Sequence, residues 1–120
     1  MANENGNNSL SGHAVQFAKA IRDFGKVLPM TVSNVEDLKS LIRSSGNIGA
    51  LIIDAEQTRN RNEFVQKMTA SVKETRQTHY WLSLVDTQGA GELEMRRQKL
   101  QQAAEELANV AMKYIQRSQA

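Results

Sequence analysis

The stretch Ser11–Pro29, SGHAVQFAKAIRDFGKVLP, decides the fold class. Its apolar side chains Ala14, Phe17, Ile21, Phe24 and Leu28 recur at steps of three and four, which on a helix of about 3.6 residues per turn gather on one face. Pro29 ends that helix, because its ring disfavours helical geometry at Leu28 and it has no N–H to extend the ladder. The same pattern repeats further along the chain. Ser33, Asn34, Val35 and Glu36 read as a capping box that opens a second helix. The inward stripe of that helix is Val35, Leu38, Ile42, Ser45, Gly49 and Ile52, widened by Leu41, Ile48 and Leu51. Ser44, Ser45, Gly46, Gly49 and Ala50 concentrate small residues at its middle. Each glycine there forfeits about 1 kcal/mol of helix propensity but lets another backbone come close. Gln57 to Asn62 make a turn, and Asn60 with Glu63 caps a third helix from about Arg61 to Asp86, striped by Phe64, Met68, Val72, Thr75, His79 and Leu82. Gly89, Ala90 and Gly91 separate it from a fourth, carrying Leu93, Leu100, Ala104, Leu107, Ala111 and Tyr114.

A chain of 120 residues is one domain with room for a core. Aromatics at 5% and a single proline mark helical composition. Short connections make neighbouring helices antiparallel. The expectation is therefore an all-α protein, an antiparallel up-down-up-down four-helix bundle over residues 11–118. Residues 1–10 are too polar to offset the entropy of being ordered, and read as a disordered tail. Cysteine is absent, which excludes disulfide frameworks, thiolate metal sites and cysteine nucleophiles. No apolar run is long enough to span a bilayer, and MANENGNNSLSG lacks the features of a signal peptide, so the reading is a cytoplasmic protein without a membrane role.

Catalytic bundles commonly hold two metals on Glu-x-x-His pairs, yet neither His13 nor His79 has an acidic residue three places before it. No metal or cofactor is expected. Asp54, Glu56 and Glu74 are the carboxylates that burial would convert into a general acid or base; structural ion pairs are the competing use. Gly46-Asn47-Ile48-Gly49 lies inside a helical pattern and is no phosphate loop. With no nucleophile pattern, the chain reads as a non-enzyme.

Charge is segmental, although the formal net charge is only +2. The segment Arg59 to Arg76 carries a net plus three through Arg59, Arg61, Lys67, Lys73 and Arg76, whereas Ser33 to Glu56 carries minus two. Arg96, Arg97 and Lys99 form a second basic cluster, and Lys19, Arg22 and Lys26 make the first helix basic. These are candidate phosphate contacts. Tyr80, Trp81, Leu82, Leu84 and Val85 leave almost no polar face at the end of the third helix, and a helix apolar on more than one side is buried on more than one side. A subunit interface is the expectation there. The rival to nucleic-acid binding is a protein-interaction scaffold that uses the same apolar excess.

The stretch Leu41-Ile42-Arg43-Ser44-Ser45-Gly46-Asn47-Ile48-Gly49-Ala50, then Asp54-Ala55, Glu63-Phe64, Lys67-Met68, and Lys73 to Leu82 with its Glu-x-x-x-Thr-x-Tyr-Trp-Leu pattern, resembles a known family. These are the bundle proteins encoded in intervening sequences of bacterial large-subunit ribosomal RNA genes, together with the accessory variability determinants of diversity-generating retroelements. The resemblance covers about Phe17 to Ala111. It implies a homopentameric ring without enzymatic activity and, for the retroelement members, a reverse transcriptase and RNA as partners. It also implies that Tyr80, Trp81 and Leu82 form a packing motif, and that Arg43, Asp54, Glu74 and Thr78 form an interior polar network. Asn47, Leu51, Asp54 and Gln77 depart from the family's usual residues.

Overall fold

The structure, a computed structural model, describes residues 9–119. It holds α1 (Leu10–Val27), α2 (Val32–Gln57), α3 (Arg61–Leu84) and α4 (Gly91–Gln119), and no strand among the described residues. Each helix packs on its neighbours in sequence, α4 closes back on α1, and the backbones of the diagonal pairs do not approach closely, so the expected four-helix bundle is what forms. Its long axis measures 46 Å. Residues 1–8 of the expected tail lie outside the described residues. Ser9 and Leu10 are part of the fold: the Ser9 hydroxyl accepts the Gly12 N–H at 2.9 Å as the cap of α1, and Leu10 joins the core.

The first stripe is where the spacing puts it. Ala14, Phe17, Ile21, Phe24 and Leu28 are all buried, and Leu28 turns extended before Pro29. The second helix differs. Its cap is Thr31, whose hydroxyl accepts the Asn34 N–H at 3.1 Å, instead of Ser33. That start frees Asn34 to turn inward, and the buried face becomes Leu41, Ser44, Ser45, Ile48, Gly49, Ile52 and Ala55, with Val35, Leu38, Ile42 and Leu51 half-buried at its margins. Only part of the small-residue cluster serves close packing. A Cβ on Gly49 would meet that of Ala14 at 3.5 Å, whereas Gly46 faces open space.

Asn34 fastens one end of the bundle. Its Nδ2 donates to the carbonyls of Pro29 at 2.8 Å and Asp86 at 2.9 Å, and its Oδ1 accepts the Asp86 N–H at 2.9 Å. One buried amide thus ties the α1–α2 turn to the α3–α4 loop. The chain turns extended at Val85, and α3 stops at Leu84 instead of running to Asp86 as its periodicity predicts. Gly89, at φ 77°, serves the loop and not the end of α3.

The α2–α3 seam is lined with small hydroxyls. Ser71 donates to the Met68 carbonyl and Thr75 to the Ser71 carbonyl, each at 2.7 Å, so their protons are satisfied within α3 and their small volumes let α2 lie close. Thr78 lies 2.8 Å from the Ser44 hydroxyl across the seam and 2.9 Å from the Glu74 carbonyl. The helices also differ in length: at about 1.5 Å per residue, the 18 residues of α1 fall about 12 Å short of the 26 of α2. The end carrying the α2–α3 turn is therefore covered by α2, α3 and α4 alone among the described helices. Phe64 is half-buried there, and Ile53 and Tyr114 are each 41% exposed.

Asn34→Ala strands three backbone groups at once, so urea denaturation should show a loss of about 2–4 kcal/mol. Gly46→Ala meets nothing and removes a helix-interior glycine; the same measurement should show a gain of about 0.5–1 kcal/mol.

Candidate nucleic-acid interface

The eight basic residues singled out in the sequence do not form one surface. Lys73 and Arg76 stand on the outer side of α3, where the steps from Thr69 to Lys73 to Tyr80 run opposite the buried series Met68, Thr75, Leu82. With Thr69, Val72, Gln77 and Tyr80 they border a shallow hollow of about 470 Å3. Arg59 and Arg61 lie at the α2–α3 turn, Arg61 about 18 Å along α3 from Lys73. Lys67 faces α2, where its Nζ is 3.9 Å from the Asp54 carboxylate, so its charge is partly offset. Lys99 is exposed on α4. Arg96 lies with its guanidinium 5.9 Å over the Phe24 ring, half-buried.

Arg97 is a correction to the sequence reading. Its side chain is 16% exposed and donates to the carbonyls of Leu82, at 3.3 Å, and Val85, while pairing with Glu94. It satisfies the end of α3 and is not available to a phosphate. The reason is geometric: Arg97 sits on the second turn of α4, beside the carbonyls that α3 leaves orphaned where it stops early. Glu94 completes the network by accepting from the Thr87 hydroxyl. The Arg97 hydrogen bond first, and then that of Thr87, hold the Glu94 carboxyl below the ordinary carboxylate range, against a smaller opposing effect of burial.

The predicted interior polar network is also corrected. Thr78 is fully buried, but Glu74 is half-buried and Arg43 and Asp54 are exposed, because the inward face of α2 is rotated toward Leu41 and Ser44. Glu56, the third candidate acid, is exposed as well. His79 leaves the expected inward stripe for the α3–α4 groove, with Nε2 3.8 Å from a Glu105 carboxylate oxygen.

The predicted interface motif splits in the same way. Leu82 and Val85 are core, Trp81 is half-buried against that core, and Tyr80 and Leu84 are exposed at 55% and 47%. Tyr80 meets Trp81 edge-on, with ring centroids 5.1 Å apart and planes at 67°, which leaves the outer tyrosine face open. Sequence reasoning treated Tyr80 as packing. Its position on the Thr69–Lys73 line, away from the heptad of Met68, Thr75 and Leu82, is the signal that places it outside.

No protein-family model and no curated protein matches the chain. A solved structure does: a protein with unknown function from the S23 ribosomal protein family of Bacteroides thetaiotaomicron VPI-5482, 26% identical, with a TM-score of 0.73, covering 89% of this chain and 98% of that one. The expected kinship with intervening-sequence and retroelement accessory proteins is thereby corrected, since the likeness found is to the S23 ribosomal protein family. The physical reason lies in the motif itself. Thr78, Trp81 and Leu82 sit in or against the core, and packing positions report the architecture they serve before they report a lineage.

Because the folded state lowers the Glu94 pKa, Glu94 contributes stability above its unfolded pKa and loses it as pH falls through and below that value. Thermal melts should therefore show Glu94→Gln less stable than the parent at neutral pH, with the gap closing as pH falls below the ordinary glutamate value of about 4.3.

Proposed function

We propose that this chain is a cytoplasmic, non-enzymatic helical bundle that binds single-stranded nucleic acid, RNA by preference, on the outer face of α3. The observation that carries the reading is the grouping of Lys73, Arg76 and Tyr80 around one open hollow. Neither cation has a carboxylate within ion-pair distance among the described residues; Arg76 directs a guanidinium nitrogen at the Met112 sulfur, 3.6 Å away. Two uncompensated cations one turn apart track a phosphate backbone, and an exposed aromatic ring offers a stacking platform for a base. The similar structure comes from a family named for a ribosomal protein, which supports RNA as the polymer. Self-association would repeat the hollow around an assembly and strengthen its field. The exposed positions of Asp54 and Glu56 support a binding role over acid–base catalysis.

A protein-interaction scaffold is the second reading, favoured by an apolar groove of about 550 Å3 between α1 and α4, lined by Leu10, Phe17, Leu100 and Leu107. The two readings part on nucleic acid. In fluorescence anisotropy with an unstructured RNA strand, Lys73→Gln with Arg76→Gln should weaken binding and flatten the logarithmic salt dependence by about 1.4, and Tyr80→Ala should weaken it about tenfold. All three side chains project outward, so the melting temperatures should hardly move. Parental affinity in both variants would remove α3 as the binding face, and no binding by the parent at low salt would leave the scaffold reading.

A further inference from the structure

A second concentration of positive charge lies at the end of the bundle that α1 leaves uncovered. The α2–α3 turn and the last turn of α4 border a shallow, open depression of about 330 Å3, lined by Thr58, Arg59, Asn60, Arg61, Phe64 and Arg117. Three guanidiniums border it, and they come from different places: Arg59 from the turn, Arg61 from the start of α3, and Arg117 from the end of α4. Arg117, 56 residues from Arg61 in sequence, is brought there only by the antiparallel return of α4. Glu56 and Glu63 flank the turn in sequence, yet none of the three arginines has a carboxylate within ion-pair distance among the described residues. The Arg117 guanidinium carbon lies 5.5 Å from the centroid of the Tyr114 ring. Asn60 is occupied as the cap of α3, its Oδ1 accepting the Glu63 N–H at 2.9 Å, so the turn itself is fixed.

We propose that this depression is a binding site for a terminal phosphate monoester, the phosphorylated end of a nucleotide or of a nucleic-acid strand, with Arg59, Arg61 and Arg117 on the phosphate oxygens and Phe64 against the attached nucleoside. The choice of ligand follows from charge and shape. Guanidinium groups present paired N–H donors in a fixed fork that matches phosphate oxygens, which a set of lysines would not do. Three of them exceed the single charge of a backbone diester but suit a monoester of about −1.5 to −2 with three acceptor oxygens. The depression lies at the end of the bundle, around the α2–α3 turn and the last turn of α4. The half-buried Phe64 is the one aromatic side chain in the lining.

For a strand as the source of the phosphate, the proposal rests on the nucleic-acid reading of α3, and the test separates the two. The full chain is titrated by anisotropy with one labelled RNA strand bearing either a 5′-phosphate or a 5′-hydroxyl, and by calorimetry with adenosine 5′-monophosphate against adenosine. The phosphorylated strand should bind about tenfold more tightly than the hydroxyl strand. Arg117→Gln should abolish that preference, and Arg59→Gln should do the same from the other wall, with unchanged circular-dichroism melts verifying the fold. Equal affinity for the two strands, with no calorimetric preference for the monophosphate, would overturn the proposal while leaving the α3 face intact. If neither strand binds but the monophosphate does so in a manner sensitive to Arg117→Gln, the depression takes a free nucleotide and the reading of α3 falls instead. Binding of neither strand and of neither small molecule would overturn both.

Discussion

The bundle depends on a single buried amide. Asn34 occupies a position where four helix ends converge, and an apolar side chain there would leave the carbonyls of Pro29 and Asp86 and the Asp86 N–H without partners. Buried backbone groups must be paired, so the path of both connections is set by what Asn34 can reach. From that follow the early end of α3, the extended backbone at Val85, and the orphaned carbonyls that Arg97 satisfies from α4. The opposite end has no such fastening among the described residues. There the short α1 gives out, and apolar and basic side chains share the surface.

This asymmetry sorts the charged residues into those that hold the fold and those left for other work. Arg97 and Glu94 belong to the fastened end, and their mutual hydrogen bonding removes one of the three charges of the Arg96–Lys99 cluster from the free surface. Lys67 is partly offset by Asp54 across the α2–α3 seam. Lys73 and Arg76 on α3, and Arg59, Arg61 and Arg117 at the open end, have no carboxylate within ion-pair distance among the described residues. The two groups differ in form, a shallow hollow beside an aromatic ring in one case and an open depression between two helix ends in the other.

Much of the architecture was legible because it rests on local rules. The 3-4 spacing in Ser11–Leu28 and the block imposed by Pro29 act within a few residues, and α1 carries the predicted stripe. Asn60 caps α3 as its sequence context indicates. The second helix was less legible, since apolar residues fall on more than half of its circumference, and the start at Thr31 instead of Ser33 then chose which of them turned inward. The site was less legible again. Lys73 and Arg76 are visible as charges in any reading, but Arg97 carries the same charge and is consumed by a carbonyl pair that exists only because α3 stops at Leu84. Arg117 has no neighbour in sequence to suggest Arg59 or Arg61.

By itself, then, the sequence determined the number, order and direction of the helices, because periodicity, caps and the one proline act over a turn or two of chain and need no partner. Which residues became core, cap, platform or lining of the depression was decided by the tertiary structure. Those roles depend on distances between helices that are far apart in sequence: Asn34 to Asp86, Arg97 to Leu82, Arg117 to Arg59. Such distances are fixed only when the four stripes pack together and each buried polar group finds its partner.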